Sequence, residues 1–238
     1  MNKIMFDVML LMNEGIAWDV KLYSQKLYKP YSIISQEYKN LEYEGFVKKE
    51  KLTDKGLQEL HNHRIKNAII LAAGVSSRFV PLCFEKPKGL LNIRGEILIE
   101  RQIKQLLEKG IDEIVVVVGH MKEKYYYLKE KYNVVLVETD TYKSRNNHAS
   151  LYAARKYLSD TIVTSSDLYF TENIFCKYSY DAFYTTVYHE GETNERGIKT
   201  DSDDMIIDTS YGVNDVWVTL GYAFFNKRFS DNFLNILE

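Results

Sequence analysis

The chain has 238 residues, 45% of them hydrophobic and 27% charged, with a formal net charge of -2. That is enough for one large domain, or one medium and one small, and the near-neutral charge gives no general attraction to nucleic acid or membrane. No run approaches the roughly 18 apolar residues of a membrane span, and Asp7 interrupts the apolar N-terminus MNKIMFDVMLLMNEG, which argues against a signal peptide and for a cytoplasmic protein.

From Ile4 to Met12 apolar residues recur at helical spacing, with Gly15 as the stop. Asp19 is an acceptable N-cap for a second helix through Leu27. Pro30 interrupts, and Tyr31 to Glu44 gives a third helix with Ile34, Tyr38 and Leu41 on one face and Gly45 as its C-cap. Phe46 to Leu52 reads as a short strand and turn, and Thr53-Asp54-Lys55-Gly56-Leu57 opens a fourth helix. The run YKNLEYEGFVKKEKLTDKG in this setting is similar to the core of a winged helix-turn-helix. That resemblance implies a domain over residues 1–64 and a DNA contact through residues 19–52, with Ser32, Ser35, Gln36 and Lys39 in the major groove and Lys48, Lys49 and Lys51 on phosphates. Residues 1–66 hold eleven Lys+Arg against nine Asp+Glu. So small an excess leaves a docking or dimerisation block as the other reading. His61 and His63 read as part of a solvated linker, and the boundary falls at Arg64 to Lys66, with a second domain over 67–238.

Ala68 to Leu71 looks like a buried parallel strand breaking into Ala72-Ala73-Gly74-Val75-Ser76-Ser77-Arg78. Such a small-residue loop lets backbone N–H groups converge on an anion, while Arg78, Lys86 and Lys88 bring positive charge to the same mouth. Ile97 to Lys109 is an amphipathic helix ending at Gly110. Ile114 to Val118 is a β-branched run expected of a strand covered on both faces. Met121 to Tyr132 reads as a helix, Val134 to Val137 as a strand, Asn147 to Leu158 as a helix, and Thr161 to Ser166 as a strand closing on Asp167. The alternation implies a doubly wound, Rossmann-like α/β sheet whose ligands gather at the carboxyl ends of the strands, where Gly74 and Asp167 both lie. Ala182 to His189 and Val216 to Phe225 are expected to add an antiparallel subdomain over the cleft. Ser230 to Glu238 reads as an N-capped helix cut while still amphipathic, as in a chain lacking a C-terminal part. Cys83 and Cys176 have no metal-ligand spacing and read as buried or incidental thiols.

LAAGVSSRF followed by EKPKGLL resembles the signature of sugar-nucleotide-type nucleotidyltransferases, and within them that of the CTP:phosphocholine cytidylyltransferases of bacterial surface decoration. LIERQI, GHMKEKYYYL, SRNNHASLYAARKYL and SSDLYF extend the likeness from about Asn67 to the end. The resemblance implies transfer of CMP from CTP to a small alcohol phosphate, with release of pyrophosphate and no covalent intermediate. Arg78 and Lys88 are then the catalytic cations. Asp167 is the Mg²⁺ ligand, its further acidic partners lying beyond Glu238. Leu71, Ala72, Ala73, Gly74, Ser76 and Ser77, with Asn146, Asn147 and Ser150, hold the nucleotide. One of the two asparagines is also a natural helix cap.

For the acceptor, a quaternary ammonium sits on aromatic faces by cation–π attraction, which selects Tyr169, Tyr188, Trp217 and Tyr222, with Tyr184 nearby and Glu192 or Glu195 as a carboxylate. Phosphocholine enzymes imply a tryptophan after Asn-Glu, whereas this chain has Asn194-Glu195-Arg196-Gly197. Arg196 would repel choline but suits a carboxylate or second phosphate. Fusions similar to this chain carry a choline-kinase-like domain downstream. Two other readings stay open: a transcriptional regulator sensing CTP or a CDP-alcohol, and a sugar-phosphate nucleotidyltransferase using UTP, GTP or dTTP.

Overall fold

A computed structural model of the chain describes residues 1–75, 85–140 and 147–237, the side chains of 147 and 237 excepted. It divides into two compact units. Among the described residues no helix is long and apolar enough to cross a membrane.

The first unit comprises Met1–Arg64 together with Lys177–Tyr180. Helix α1 (Lys3–Asn13) starts where the Asn2 side chain accepts a hydrogen bond from Met5 N, and α2 (Val20–Leu27) where Asp19 does so from Leu22 N at 2.7 Å. Both are side-chain caps that satisfy an otherwise orphaned donor. Helix α3 (Tyr31–Tyr43) follows Pro30 and ends at Gly45, whose φ of +76° suits a residue without a Cβ. A two-stranded antiparallel ribbon, β1 (Val47–Lys48) and β2 (Lys51–Leu52), turns through Lys49 and Glu50, and α4 (Asp54–Asn62) is capped by Thr53. The core gathers Phe6, Met9, Tyr23, Ile34, Leu41 and Leu60 among others. The expected solvated linker is corrected here: the His63 ring lies against Phe6 (5.1 Å) and near-parallel to Tyr180 (5.3 Å). Tyr180 belongs to a four-residue excursion of the chain, which two contiguous domains did not anticipate.

The second unit, Ile65–Cys176 and Asp181–Glu238, is built on one eight-stranded mixed sheet. Its centre is β3 (Asn67–Ala72), parallel on one side to β6 (Glu113–Val118) and on the other to β8 (Thr161–Ser165); β7 (Val135–Glu138) extends β6 in parallel. Between β3 and β6 come the ribbon β4 (Asn92–Ile93) and β5 (Glu96–Ile97) and helix α5 (Leu98–Glu108). The strands are apolar on both faces because both faces are covered. Ile99, Ile103 and Leu106 of α5 pack on one side. Leu151 of α7 (Asn147–Ala153) and Phe229 and Phe233 of α8 (Lys227–Leu237) pack on the other. The stretch read as one helix from Met121 is a 3-10 turn, Lys122–Tyr125, followed by α6 (Tyr127–Tyr132).

The antiparallel strands expected over the cleft are present but form no subdomain of their own, and they make the α/β sheet a mixed one. Strands β9 (Phe183–Thr193), β10 (Gly197–Thr200), β11 (Ile206–Ser210) and β12 (Val213–Phe225) continue the same sheet. The long β12 accomplishes this. Its last residues, Tyr222–Phe225, pair antiparallel with β8, while Val213–Thr219 run on to pair with β9. The register shifts between Thr219 and Ala223, around Gly221 at φ +66°, as in a bulge that bends a strand. Helix α8 starts at Lys227 rather than Ser230, because Asn226 accepts from Phe229 N at 2.8 Å while the Ser230 hydroxyl is buried on Ser159 O.

Candidate active site

Parallel strands β3 and β8 end side by side, with Leu71 opposite Ser165. Beyond that level the Ser166 N–H donates to Leu71 O at 3.0 Å, and the His120 N–H donates to Ala73 O at 3.1 Å. The segment after β3 and the turn after β8 are thereby locked at one sheet edge. Asp167 sits in that turn.

Lys88, in the 3-10 turn Lys88–Leu90, places Nζ 3.1 Å from Asp167 Oδ2, and both side chains are partly solvent-accessible. Gly89 explains how they meet. A Cβ there would lie 2.9 Å from Ser166 Cβ and Oγ and 3.1 Å from the Tyr125 hydroxyl, so only glycine allows this approach. Tyr125 is buried, which pushes its phenol pKa up, and it hydrogen-bonds Ser166 and the Gly89 backbone. The result is a cation and a carboxylate held together at the strand ends on a tightly packed base.

Of the nucleotide residues, Leu71, Ala72, Ala73 and Gly74 line this edge; Ala72 and Ala73 are buried and Gly74 is exposed. Among the described residues, a Cβ on Gly74 would meet nothing within 4 Å. Ser150 is buried on α7, and Asn147 opens that helix. Ser76, Ser77, Arg78, Cys83 and Asn146 lie outside the described residues.

The acceptor residues divide. Tyr222 is corrected to a core residue: it is 2% exposed, ringed by Phe170, Phe175 and Phe183, with its hydroxyl 3.8 Å from Cys176 Sγ. Burial raises the pKa of both groups. Tyr169 has the Arg101 guanidinium 4.8 Å from its ring centre and Arg94 at 5.9 Å, so a cation of the protein already occupies its face. Arg196 lies over the Tyr211 ring and donates to its hydroxyl at 3.0 Å, while Glu192 is exposed on β9. Tyr188 and Trp217 do come together. They are cross-strand partners with ring centres 5.5 Å apart, edge to face, and each is about half exposed (47% and 51%). Trp217 also borders a cavity of about 770 Å³ with Tyr184, Ile198, Met205, Ile206 and Phe229, a lining that contains neither Lys88 nor Asp167.

Residues the sequence reading passed over are polar and on α5: Glu100, Gln102 and Gln105 are buried. Glu100 accepts from the Tyr127 hydroxyl, Lys131 Nζ and the Tyr132 hydroxyl at 2.7–2.8 Å, tying α5 to α6. Burial raises its pKa, but those three hydrogen bonds outweigh it and hold the carboxyl below its ordinary value.

The lysine and the aspartate thus stand at the carboxyl ends of parallel strands, where open α/β sheets bind their ligands. Residues 68–190, more than half of the chain, match the MobA-like NTP transferase domain, and the chain belongs to that family. It is 41% identical over 149 residues to the choline-phosphate cytidylyltransferase of Streptococcus pneumoniae, spanning 61% of this chain and 65% of that protein. It is 35% identical over 164 residues to the 2-aminoethylphosphonate cytidylyltransferase of Lancefieldella rimae, spanning 67% of each. The chain therefore spans about two thirds of the length of these relatives. Among solved structures, CTP:phosphocholine cytidylyltransferase from Streptococcus pneumoniae matches with a TM-score of 0.68 at 37% identity, covering 71% of this chain and 74% of that one.

Proposed function

We propose that this chain transfers CMP from CTP to a small phosphorylated alcohol, phosphocholine being the acceptor its relatives favour first. The observation that carries the reading is the Lys88–Asp167 pair, 3.1 Å apart at the paired ends of β3 and β8, within the segment that matches the family. In this reaction a phosphate oxygen of the acceptor attacks the α-phosphorus of CTP, a new P–O–P bridge forms, and the bond to the pyrophosphate group breaks. Lys88 would neutralise charge that builds on the triphosphate in the transition state, and Arg78, in the sequence after Gly74, would do the same. The backbone from Leu71 to Ser77 would cradle the nucleotide, with Asn146, Asn147 and Ser150 reading its polar edges.

Asp167 is a fit for Mg²⁺ of one kind only. Among the described residues no three acidic, histidine or cysteine side chains cluster as a metal cage. One carboxylate beside a phosphate site suits a hard ion that shares its oxygen ligands with the substrate. Bound there, magnesium would supply further charge neutralisation to the triphosphate.

For the acceptor, the half-exposed Tyr188 and Trp217 offer two aromatic faces for an ammonium group. The Lancefieldella relative favours a second acceptor, 2-aminoethylphosphonate, whose primary ammonium needs a smaller cage. Pyrophosphate release, with CTP, UTP, GTP and dTTP each tested against phosphocholine, 2-aminoethylphosphonate, phosphoethanolamine, glycerol phosphate and sugar phosphates, tests the proposal. Release with UTP and a sugar phosphate but none with CTP would overturn it.

For the first unit we propose a winged helix, supported by the order α1–α2–α3, ribbon, α4 and by exposed lysines 48, 49 and 51. Its DNA contact would run through residues 19–52, as in a regulator that couples the nucleotide site to transcription. A low-salt gel shift on the organism's promoter DNA that shows no retardation removes this part.

A further inference from the structure

Helix α5 presents a polar residue to the turn that carries Asp167. Gln102 has no exposed surface, and a primary amide so placed is unfavourable unless its hydrogen bonds are met. They are. Its Nε2 donates to Ser165 O and to Leu168 O, both at 2.9 Å, and its Oε1 accepts from the Thr164 hydroxyl at 3.1 Å. The two carbonyls bracket Asp167, and the turn closes on itself with Leu168 N donating to Ser165 O at 3.3 Å. The two carbonyls settle the orientation of the amide, since only its N–H groups can face them, and the Thr164 hydroxyl, able to donate or accept, then donates to the amide oxygen.

The neighbours of Gln102 on α5 grip the same segment further on. Arg101 donates to Phe170 O at 2.8 Å and Thr171 O at 2.9 Å, and Gln105 donates to Phe170 O at 3.3 Å. An apolar side chain of similar volume would fill the space at 102, so packing alone does not account for a glutamine.

We propose that Gln102 is a positioning residue whose amide fixes the Ser165–Leu168 turn so that the Asp167 carboxylate faces Lys88 and the phosphates of the nucleotide. This rests on the nucleotide reading of the cleft. Misplacing a group by about 1 Å can cost on the order of 10²-fold in rate, so Gln102→Met should lower kcat by roughly 10- to 100-fold, a larger loss than any rise in KM for CTP. The test is a cycle of Gln102→Met, Asp167→Asn and the double variant. Pyrophosphate release is measured for each, thermal unfolding reports the fold, and calorimetric titration of CTP without acceptor is run in Mg²⁺ and in EDTA.

If Gln102 acts through Asp167, Gln102→Met costs less than about twofold in the Asp167→Asn background, and it weakens CTP binding in Mg²⁺ while leaving the affinity in EDTA unchanged. The same loss in both backgrounds, or equal weakening with and without Mg²⁺, overturns the inference. Should Asp167→Asn itself retain full activity, the reading of the cleft fails and takes the inference with it; a crippled Asp167→Asn with an uncoupled Gln102 sinks the inference alone. If Gln102→Met does not fold, Thr164→Val removes only the hydroxyl that donates to the amide oxygen. It should lose turnover severalfold in the native background and nothing further in Asp167→Asn, and an unimpaired Thr164→Val counts against the proposal.

Discussion

The two halves of the sheet meet solvent in opposite ways. In the parallel half, β3 and β6 are buried along nearly their whole length. There the strand-end groups stand on a close-packed base of Gly89, Ser166 and Tyr125, braced by the Gln102 amide. In the antiparallel half, β9 and β11 are mostly exposed, and Tyr188, Ile207, Tyr211 and Trp217 each show about half or more of their surface. Charge chemistry needs fixed geometry, which the close-packed, rigid half offers at Lys88 and Asp167. Recognition of an acceptor tolerates variation and is suited to the open half.

The largest expected effect lies in the rigid half. Lys88→Ala removes the cation beside Asp167 and should lower turnover by about 10² to 10³; activity within about threefold of the native chain would show that Lys88 has no such part. Gly89→Ala comes next, because its Cβ would need the space of Ser166 Cβ and Oγ at 2.9 Å. Overpacking of that kind costs about 1–3 kcal/mol, and it would part Lys88 from Asp167. A lower unfolding temperature with slowed turnover is expected, whereas an unchanged variant would mean the approach is looser than 2.9 Å implies.

In the open half the effect should be smaller and of another kind. Trp217→Ala removes one face of the Tyr188–Trp217 pair. It should raise KM for a quaternary-ammonium acceptor by about tenfold, for a contact of ~1–2 kcal/mol, with kcat, KM for CTP and unfolding temperature nearly unaltered. A fall in kcat with KM unmoved would place Trp217 in the wrong half of the comparison.

The smallest effect concerns the α5–α6 brace, read in stability against pH. Glu100 is held below the unfolded carboxylate value of about 4.3. Its contribution is therefore present in full above that pH and is lost as pH falls through the folded-state pKa. Glu100→Gln should cost about 1–2 kcal/mol at pH 7 and lose less stability than the native chain as pH falls below about 4.3. Parallel stability curves for the two chains would contradict the role assigned to these hydrogen bonds.

The same contrast governs what the residues alone disclosed. The parallel strands were legible because burial on both faces demands continuous β-branched runs such as Ile114–Val118, and AAG and SSD mark where those strands stop. Strands β10 and β11 were not, being four and five residues long around an acidic turn with little alternation to read. Tyr222 was assigned to the acceptor because an aromatic residue on a strand carries no mark of which face it occupies. Gln102 escaped notice for the reverse reason: a polar residue on an amphipathic helix reads as solvated until a carbonyl-lined turn is found against it. The excursion Lys177–Tyr180 and the His63–Tyr180 stack depend on chain neighbours more than a hundred residues apart, which no local pattern encodes.

The most direct measurement compares pyrophosphate release from CTP and phosphocholine by the native chain and by Asp167→Asn, in Mg²⁺. The native chain should form one CDP-alcohol for each pyrophosphate, with the variant slowed by at least about 10². Equal rates in the two proteins would contradict a cleft organised around Lys88 and Asp167.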